Sequence, residues 1–215
     1  MNKKDLVDET ITLYSGLGWK SLFTRIRFWD APFIEVEKIT PKSGKIIDLG
    51  CGEGVFTNFM ALSSRDREIL GIEIDQRRFS EANRGLSNTI FKLGDATKIS
   101  MPRADCIVLF HLLHHLSSFT DQEVVLKKCA QVLSKGDSLL IVEVKPKLSI
   151  KYLLAWFTDH FLVPWLFEKK MYSPIFFRKE ESWAALLNNL GFSCKIINAE
   201  KGHPFTHVIL VCRKN

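Results

Sequence analysis

Apolar residues in this chain of 215 come in short, mostly apolar runs, and the stretches between the runs carry them at helical spacing. Residues 45–49 form the first run and end in a glycine-rich turn, after which Val55, Phe59 and Leu62 fall on one helical face. Further runs occupy 68–74, 89–93, 104–110 and 138–144, with helix-like stretches over 76–86 and 121–133. An apolar run without polar alternation predicts a strand buried on both faces. Such strands alternating with helices predict a parallel sheet covered on both sides and joined by right-handed crossovers. A helix over 179–190 and strands over 192–198 and 207–212 complete the pattern. The break between those last strands, Gly202-His203-Pro204, suits an antiparallel hairpin better than a crossover. The prediction is an α/β fold: a doubly wound sheet of about seven strands, mostly parallel with an antiparallel C-terminal strand, and helices on both faces.

Two segments stand outside this alternation. Residues 1–40 precede the first strand and hold Tyr14, Trp19, Phe23, Phe28, Trp29 and Phe33; residues 145–178 interrupt the sheet between its fifth and sixth strands. Insertions at those points cover the crevice outside the carboxyl ends of the strands. One domain accounts for the length. It divides into an N-terminal helical cap (1–40), a ligand-binding core (41–144), an aromatic lid insertion (145–178), and a C-terminal helix and strand hairpin (179–215).

Composition excludes more than it assigns. With 46% hydrophobic and 25% charged residues, the chain is globular, neither disordered nor fibrous. The net charge of +6 is spread along the sequence, which fits a dispersed solvated surface or a patch facing phosphates or anionic lipid. Cys51, Cys106, Cys129, Cys194 and Cys212 form neither a CxxC zinc site nor a disulfide framework. No metal site and no disulfide are therefore expected, and a reducing cytoplasm fits best. Residues 1–14 lack the apolar core of a signal peptide. The apolar stretch 148–167 is interrupted by Lys151, Asp159, His160 and Pro164, which makes it a poor membrane span.

The stretch that carries chemistry is Ile46-Ile-Asp-Leu-Gly-Cys-Gly-Glu-Gly54. Glycines at 50, 52 and 54 directly after a strand let the backbone turn sharply against a ligand and open a helix N-terminus. The pattern D-x-G-x-G-x-G lacks the Lys-Ser/Thr of a nucleotide triphosphate loop. Glu73 ends the second strand about 20 residues later, where a carboxylate accepts from ribose hydroxyls. Asp95 follows the third strand, where it accepts from an exocyclic amine while the Ala96 N–H donates to a ring nitrogen. Carboxylates at three adjacent strand ends suit a cationic ligand with ribose and adenine, and would repel a dinucleotide pyrophosphate. Taken singly, Asp48 could cap the loop, Asp75 could be a solvated turn residue and Asp95 a helix N-cap.

The series DLGCGEG, GIEID, GDA, DCIVLFHLLHHL and LSKGDSLLIVEV resembles the class I S-adenosylmethionine-dependent methyltransferases, closest to their small-molecule branch. The likeness covers roughly 44–144, with weaker support to Cys212. It implies a Rossmann-like sheet and S-adenosylmethionine as cofactor. It implies that Asp48, Gly50, Cys51, Gly52 and Gly54 hold the methionine end, Glu73 and Ile74 the ribose side, and Asp95 and Ala96 the adenine. Phe110 and His111 would border the methyl group. Glu73 replaces the commoner Asp and keeps its acceptor chemistry.

A base is needed only if the methyl acceptor carries a proton. His111 and His115 are the candidates for it, with His115 in a motif that also fixes loops and starts what reads as a helix. Tyr14 and Trp19 are candidates for lining the acceptor pocket. The fourth strand does not end in the Asn/Asp-Pro-Pro-Tyr/Phe of base-amine methyltransferases, and no Pro-Cys dipeptide is present, so nucleic acid is disfavoured without being excluded. Residues 148–177 are rich in Trp, Tyr and Phe, with Ile150, Leu153, Leu154, Phe157, Phe161 and Trp165 on one helical face and lysines flanking. A hydrophobic acceptor (lipid-like, acyl or aromatic) follows, with peripheral membrane contact through 148–167. The alternatives are an RNA-modifying methyltransferase and a non-catalytic cofactor-binding partner subunit.

Overall fold

The computed structural model describes residues 2–15, 20–144, 176–199, 203, 204 and 206–215. Three helices come first: α1 (Lys3–Leu13), α2 (Lys20–Asp30) and α3 (Phe33–Ile39). The core then alternates β1 (Gly44–Leu49), α4 (Val55–Ser63), β2 (Arg67–Glu73), α5 (Gln76–Ala82), β3 (Thr89–Leu93), β4 (Cys106–Phe110), α6 (Phe119–Val132) and β5 (Ser138–Val144). After the insertion come α7 (Glu180–Asn189), β6 (Phe192–Ala199) and β7 (His207–Lys214). The seven strands run in the order β3-β2-β1-β4-β5-β7-β6, and β7 alone is antiparallel to its neighbours. This is the doubly wound arrangement expected, with its strand order reversing between β1 and β4.

Every residue of β4 and β5 is buried, which is why β4 is an unbroken apolar run and β5 is one but for Ser138 and Glu143. One layer of core packs Phe33, Phe56, Phe59 and Met60 against Ile46, Val108 and Leu140; the other packs Val125, Leu126, Trp183 and Leu187 against Ile107, Leu109 and Ile141. At an approximate 25 cal/mol per Å² of apolar surface, these two layers are the main force holding the sheet between its helices. The N-terminal helices are tied in by polar contacts too. Arg67, fully buried on β2, donates to the carbonyls of Pro41, Thr40 and Met60 and pairs with Glu37 of α3 at 3.1 Å.

Three expectations need correction. The helix after β2 stops at Ala82, because Asn83 is extended and Gly85 takes φ +77° to turn the chain into β3. His114 and His115 do not start a helix: Leu113–His115 is a single 3-10 turn, and α6 begins at Phe119 with Ser118 accepting from the Asp121 N–H. Cys194 and Cys212 do pair. They stand opposite each other in the β6–β7 ladder and are disulfide-bonded. Spacing alone does not show which residues face each other across a hairpin, so the bond was invisible until the register was known. With it, the cysteine pattern no longer speaks for a reducing compartment. Thiol titration of the denatured, unreduced protein should find three free thiols, at Cys51, Cys106 and Cys129; five would show the link does not form.

Trp19 and the helical face from Ile150 to Trp165 lie outside the described residues. Among those described, no helix is long and apolar enough to cross a membrane. The end of the insertion is described and anchored: Phe176 N–H donates to the His114 carbonyl at 2.9 Å, and Gln122 donates back to the Phe176 carbonyl at 2.8 Å.

Candidate active site

The carboxyl ends of β1 to β4 meet at a crevice where the strand order reverses. β1 is buried from Ile46 onward and brings Asp48 there with 1% exposure. Asp48 Oδ2 accepts from the Thr57 hydroxyl at 2.5 Å, while Oδ1 is buried with no hydrogen-bond partner among the described residues. Burial, aided by the nearby Glu73 carboxylate and opposed by Thr57, pushes the Asp48 carboxyl up to about 7. A buried acceptor lacking a donor is complementary to a cationic, hydrogen-bonding group.

The loop after β1 is held on both sides. Gly50 and Cys51 N–H groups donate to the Ile72 carbonyl at 2.8 and 3.0 Å, and Gly52 N–H donates to Glu73 Oε2 at 2.8 Å. Gly52 has φ +57°, and a Cβ there would meet nothing within 4 Å, so the loop leaves open space on its crevice side. Gly54 has φ +74°, and its Cβ would lie 2.8 Å from the Ala82 carbonyl, so only glycine lets α4 start this close to α5. Behind the loop, the Tyr14 hydroxyl donates to the Glu53 carbonyl at 2.8 Å and accepts from Asn58 Nδ2 at 2.9 Å. Tyr14 therefore braces the loop and does not line the pocket. Its burial raises the hydroxyl above the ordinary phenol range, which keeps it a donor.

Two adjoining chambers result. The larger, about 690 Å³, is lined by Glu73, Ile74, Asp95 and Ala96, with Leu112 and Leu116. The smaller, about 160 Å³, is lined by Asp48, Cys51, Gly52 and Phe110, with Phe23, Arg27, Phe33 and Phe56 from α2, α3 and α4. Gly50, Arg78, His111 and His115 line both. Of the residues assigned to the cofactor from sequence, Gly54 alone touches neither chamber. Glu73 uses its carboxylate on three backbone donors, Gly52 N–H and the Ile74 and Asp75 N–H groups at 2.9 Å each. A carboxylate offers about four acceptor positions, so one remains for a ligand. Asp95 accepts from the Thr97 hydroxyl and N–H at 2.7 and 2.8 Å, and the hydroxyl bond leads the effects that hold its carboxyl below the usual range. Asp75 is the N-cap of α5, accepting from Arg77 and Arg78, and belongs to the fold. Burial and the two nearby carboxylates push the Cys51 thiol well up, so it is no nucleophile at neutral pH.

His111 sits at the junction with φ +52°, the one non-glycine residue with positive φ among those described. Its N–H donates to the Val142 carbonyl at 2.9 Å, its ring stacks on His207 at 4.9 Å, and its Nε2 is buried with no hydrogen-bond partner among the described residues. Burial first, then His207, hold the ring far below the ordinary imidazole value, so it is neutral. Backbone strain of this kind is concentrated at functional positions. His115 is exposed at the mouth of both chambers.

Sequence reasoning missed two features. Arg27 enters the aromatic chamber, 3.1 Å from Asp30 and over the Phe33 ring; no motif in the N-terminal cap marks it. Glu143, 2% exposed, accepts from the Leu113 N–H at 2.9 Å and from His114 Nδ1, locking the 3-10 turn beneath His115. A lone Glu inside the run Leu-Leu-Ile-Val-Glu-Val was the available signal, since a buried carboxylate requires a partner.

Comparison with known proteins agrees with this fold. Residues 22–195 match the model of the methyltransferase-domain family. A curated relative, an uncharacterized methyltransferase of Schizosaccharomyces pombe, is 27% identical over 158 residues, 64% of this chain; the chain spans 57% of that relative's length. Among solved structures, the N-methyltransferase NodS from Bradyrhizobium japonicum, in complex with S-adenosyl-L-homocysteine, superposes with a TM-score of 0.63 at 15% identity, covering 87% of this chain and 90% of that one. Human N-acetylserotonin methyltransferase in complex with S-adenosylmethionine gives 0.62 at 19% identity, covering 92% of this chain and 57% of that one. The chain belongs to the methyltransferase-domain family, and its likeness to the class I S-adenosylmethionine-dependent methyltransferases holds.

Proposed function

We propose that the protein transfers a methyl group from S-adenosylmethionine to a small apolar acceptor seated in the aromatic chamber. The observation that carries this reading is the meeting of an acid-lined chamber and an aromatic one at His111. When bound, S-adenosylmethionine supplies an electrophilic methyl group on a sulfonium. The residues present fit it. Asp48 Oδ1 would take its ammonium, the remaining acceptor position of Glu73 its ribose, and Asp95 with the Ala96 N–H its adenine edge. Ile74 is 64% exposed at the crevice, an arrangement that an aromatic base covering it would explain.

The acceptor side has one aromatic wall. Phe33, Phe56 and Phe110 lie with ring centroids 4.9 to 5.1 Å apart, a wall that excludes water from the transferring group. The aromatic composition of 148–167 supports the same acceptor class. His111, neutral and with an unpartnered Nε2 that a small shift of the ring would bring to the chamber, is the group we assign to accept a proton from an acceptor hydroxyl or amine; its strongly lowered basicity limits it to acceptors that become acidic during transfer.

The test is turnover of labelled S-adenosylmethionine against fatty-acyl, aromatic and RNA acceptors. Apolar acceptors should be methylated and RNA should not; methylated RNA would favour the nucleic-acid reading, and cofactor binding without turnover the non-catalytic one. Under the same conditions His111→Asn, whose side chain tolerates positive φ, should lower kcat by roughly 10²-fold or more while leaving cofactor Kd nearly unchanged. Because the ring is already neutral, wild-type kcat at saturating cofactor should show no histidine-like rise with pH near 6.5. An unchanged kcat would remove His111 as base.

A further inference from the structure

One face of α2 is exposed and apolar. Leu22, Ile26 and Trp29 are 59%, 44% and 61% exposed, and their spacing of four and three residues stacks them along a single side of the helix. Arg25, also exposed, borders the same stripe. The opposite side faces inward: Thr24 is buried, and Phe23 and Arg27 line the aromatic chamber. Large apolar side chains left in water in a row are the signature of a docking surface.

We infer that α2 is an interfacial helix that rests its Leu22–Ile26–Trp29 stripe on an anionic membrane surface. Three observations favour a bilayer over another protein. The stripe ends in a tryptophan, the residue most at home at the boundary between headgroups and acyl chains. On its exposed side the helix adds Arg25, and its one acid, Asp30, is occupied by Arg27, in a chain of net charge +6; that balance draws the helix toward anionic lipid and repels a second copy. Three side chains on one helix also fall far short of the roughly 20–30 residues a side that a stable dimer buries. A shallow apolar row with a basic border suffices for reversible peripheral binding.

The placement gives the surface a use. The helix that would touch the bilayer is also a wall of the acceptor chamber, so an apolar acceptor leaving the membrane would meet the chamber without crossing water. This part rests on the apolar-acceptor reading, whereas membrane docking itself is measured without turnover and stands or fails separately.

The experiment is flotation of the full chain with phosphatidylcholine vesicles, with and without about 30% phosphatidylglycerol. The wild type should float with the anionic vesicles, less so at high salt, and remain behind with pure phosphatidylcholine. Ile26→Ser with Trp29→Ser should lower partitioning by roughly tenfold or more, and Arg25→Glu, an exposed change that spares the fold, by a similar factor on anionic vesicles. Calorimetric binding of S-adenosylmethionine, retained in both variants, confirms that the core is intact. A wild type that does not float, or variants that float as well as it does, would overturn the assignment. So would light scattering showing a wild-type dimer that the serine variant dissociates, since the face would then belong to a second copy.

Discussion

Asp48→Asn should weaken binding of S-adenosylmethionine by roughly 100-fold or more and, in the same protein, raise the melting temperature of the cofactor-free form. Both effects come from one carboxyl. Asp48 is 1% exposed, its Oδ1 has no partner, and its burial pushes it up to about 7. A carboxyl raised in the folded state from about 3.9 adds stability that is complete below about pH 4 and is lost as pH rises through about 7. Above pH 7 the folded protein therefore holds an unfavourable buried charge. The upper bound on that cost is roughly 4 kcal/mol, from about 1.36 kcal/mol for each pH unit of displacement. Asparagine removes the charge and keeps an acceptor for Thr57, so the variant should melt several degrees higher at pH 8, at about 2–4 °C per kcal/mol. Its neutral amide cannot neutralise an ammonium, and a lost charged hydrogen bond in a buried site costs about 1.5–3 kcal/mol or more. Scanning calorimetry at pH 5 and pH 8, with cofactor titration, checks both halves. A variant no more stable at pH 8 than the wild type would refute the buried charge; unchanged affinity would remove Asp48 from the site. For the wild type, cofactor affinity should rise from pH 5.5 to 7.5, because the ligand must bind the ionised form.

Glu73→Ala should weaken cofactor binding by roughly 10- to 100-fold, about 1.5–3 kcal/mol of charged hydrogen bonding. The contact to ribose and the support of the glycine loop must be told apart, because Glu73 also accepts from Gly52, Ile74 and Asp75. Adenosine alone separates them. If Glu73 reads the ribose directly, adenosine should lose affinity by the same factor as the whole cofactor. If adenosine binds as before and only the amino-acid-bearing ligand suffers, Glu73 acts through Gly52. Equal binding of both ligands in a folded variant would end its assignment to the site.

Much of this architecture was readable in the chain because burial on two faces leaves a simple record. β4 is a solid apolar run and β5 nearly so, and the Asp48, Glu73 and Asp95 positions follow from where such runs end. The readable part stopped where structure depends on pairing between distant segments. The Cys194–Cys212 bond needs the hairpin register. Arg27, Phe33 and Tyr14 come from a helical cap whose pattern says that it packs but not where. The turn at Leu113–His115 is not set by its own sequence: Glu143 fixes it by bonding the Leu113 N–H and the His114 ring from β5. His111 could be nominated from its position after β4, but its positive φ and its place between two chambers are consequences of the fold alone.

The Tyr14 brace also bears on where the working unit begins. The family match starts at residue 22, and a fragment trimmed to that boundary would retain every glycine and every carboxylate discussed above. It would lose the hydroxyl that bonds the Glu53 carbonyl and Asn58, and with it one of the two supports from which the loop hangs. Such a fragment would keep the recognisable core yet present its ligand a loop without its brace from α1. For this chain, the boundary drawn by common ancestry and the boundary drawn by mechanics differ by at least one turn of helix.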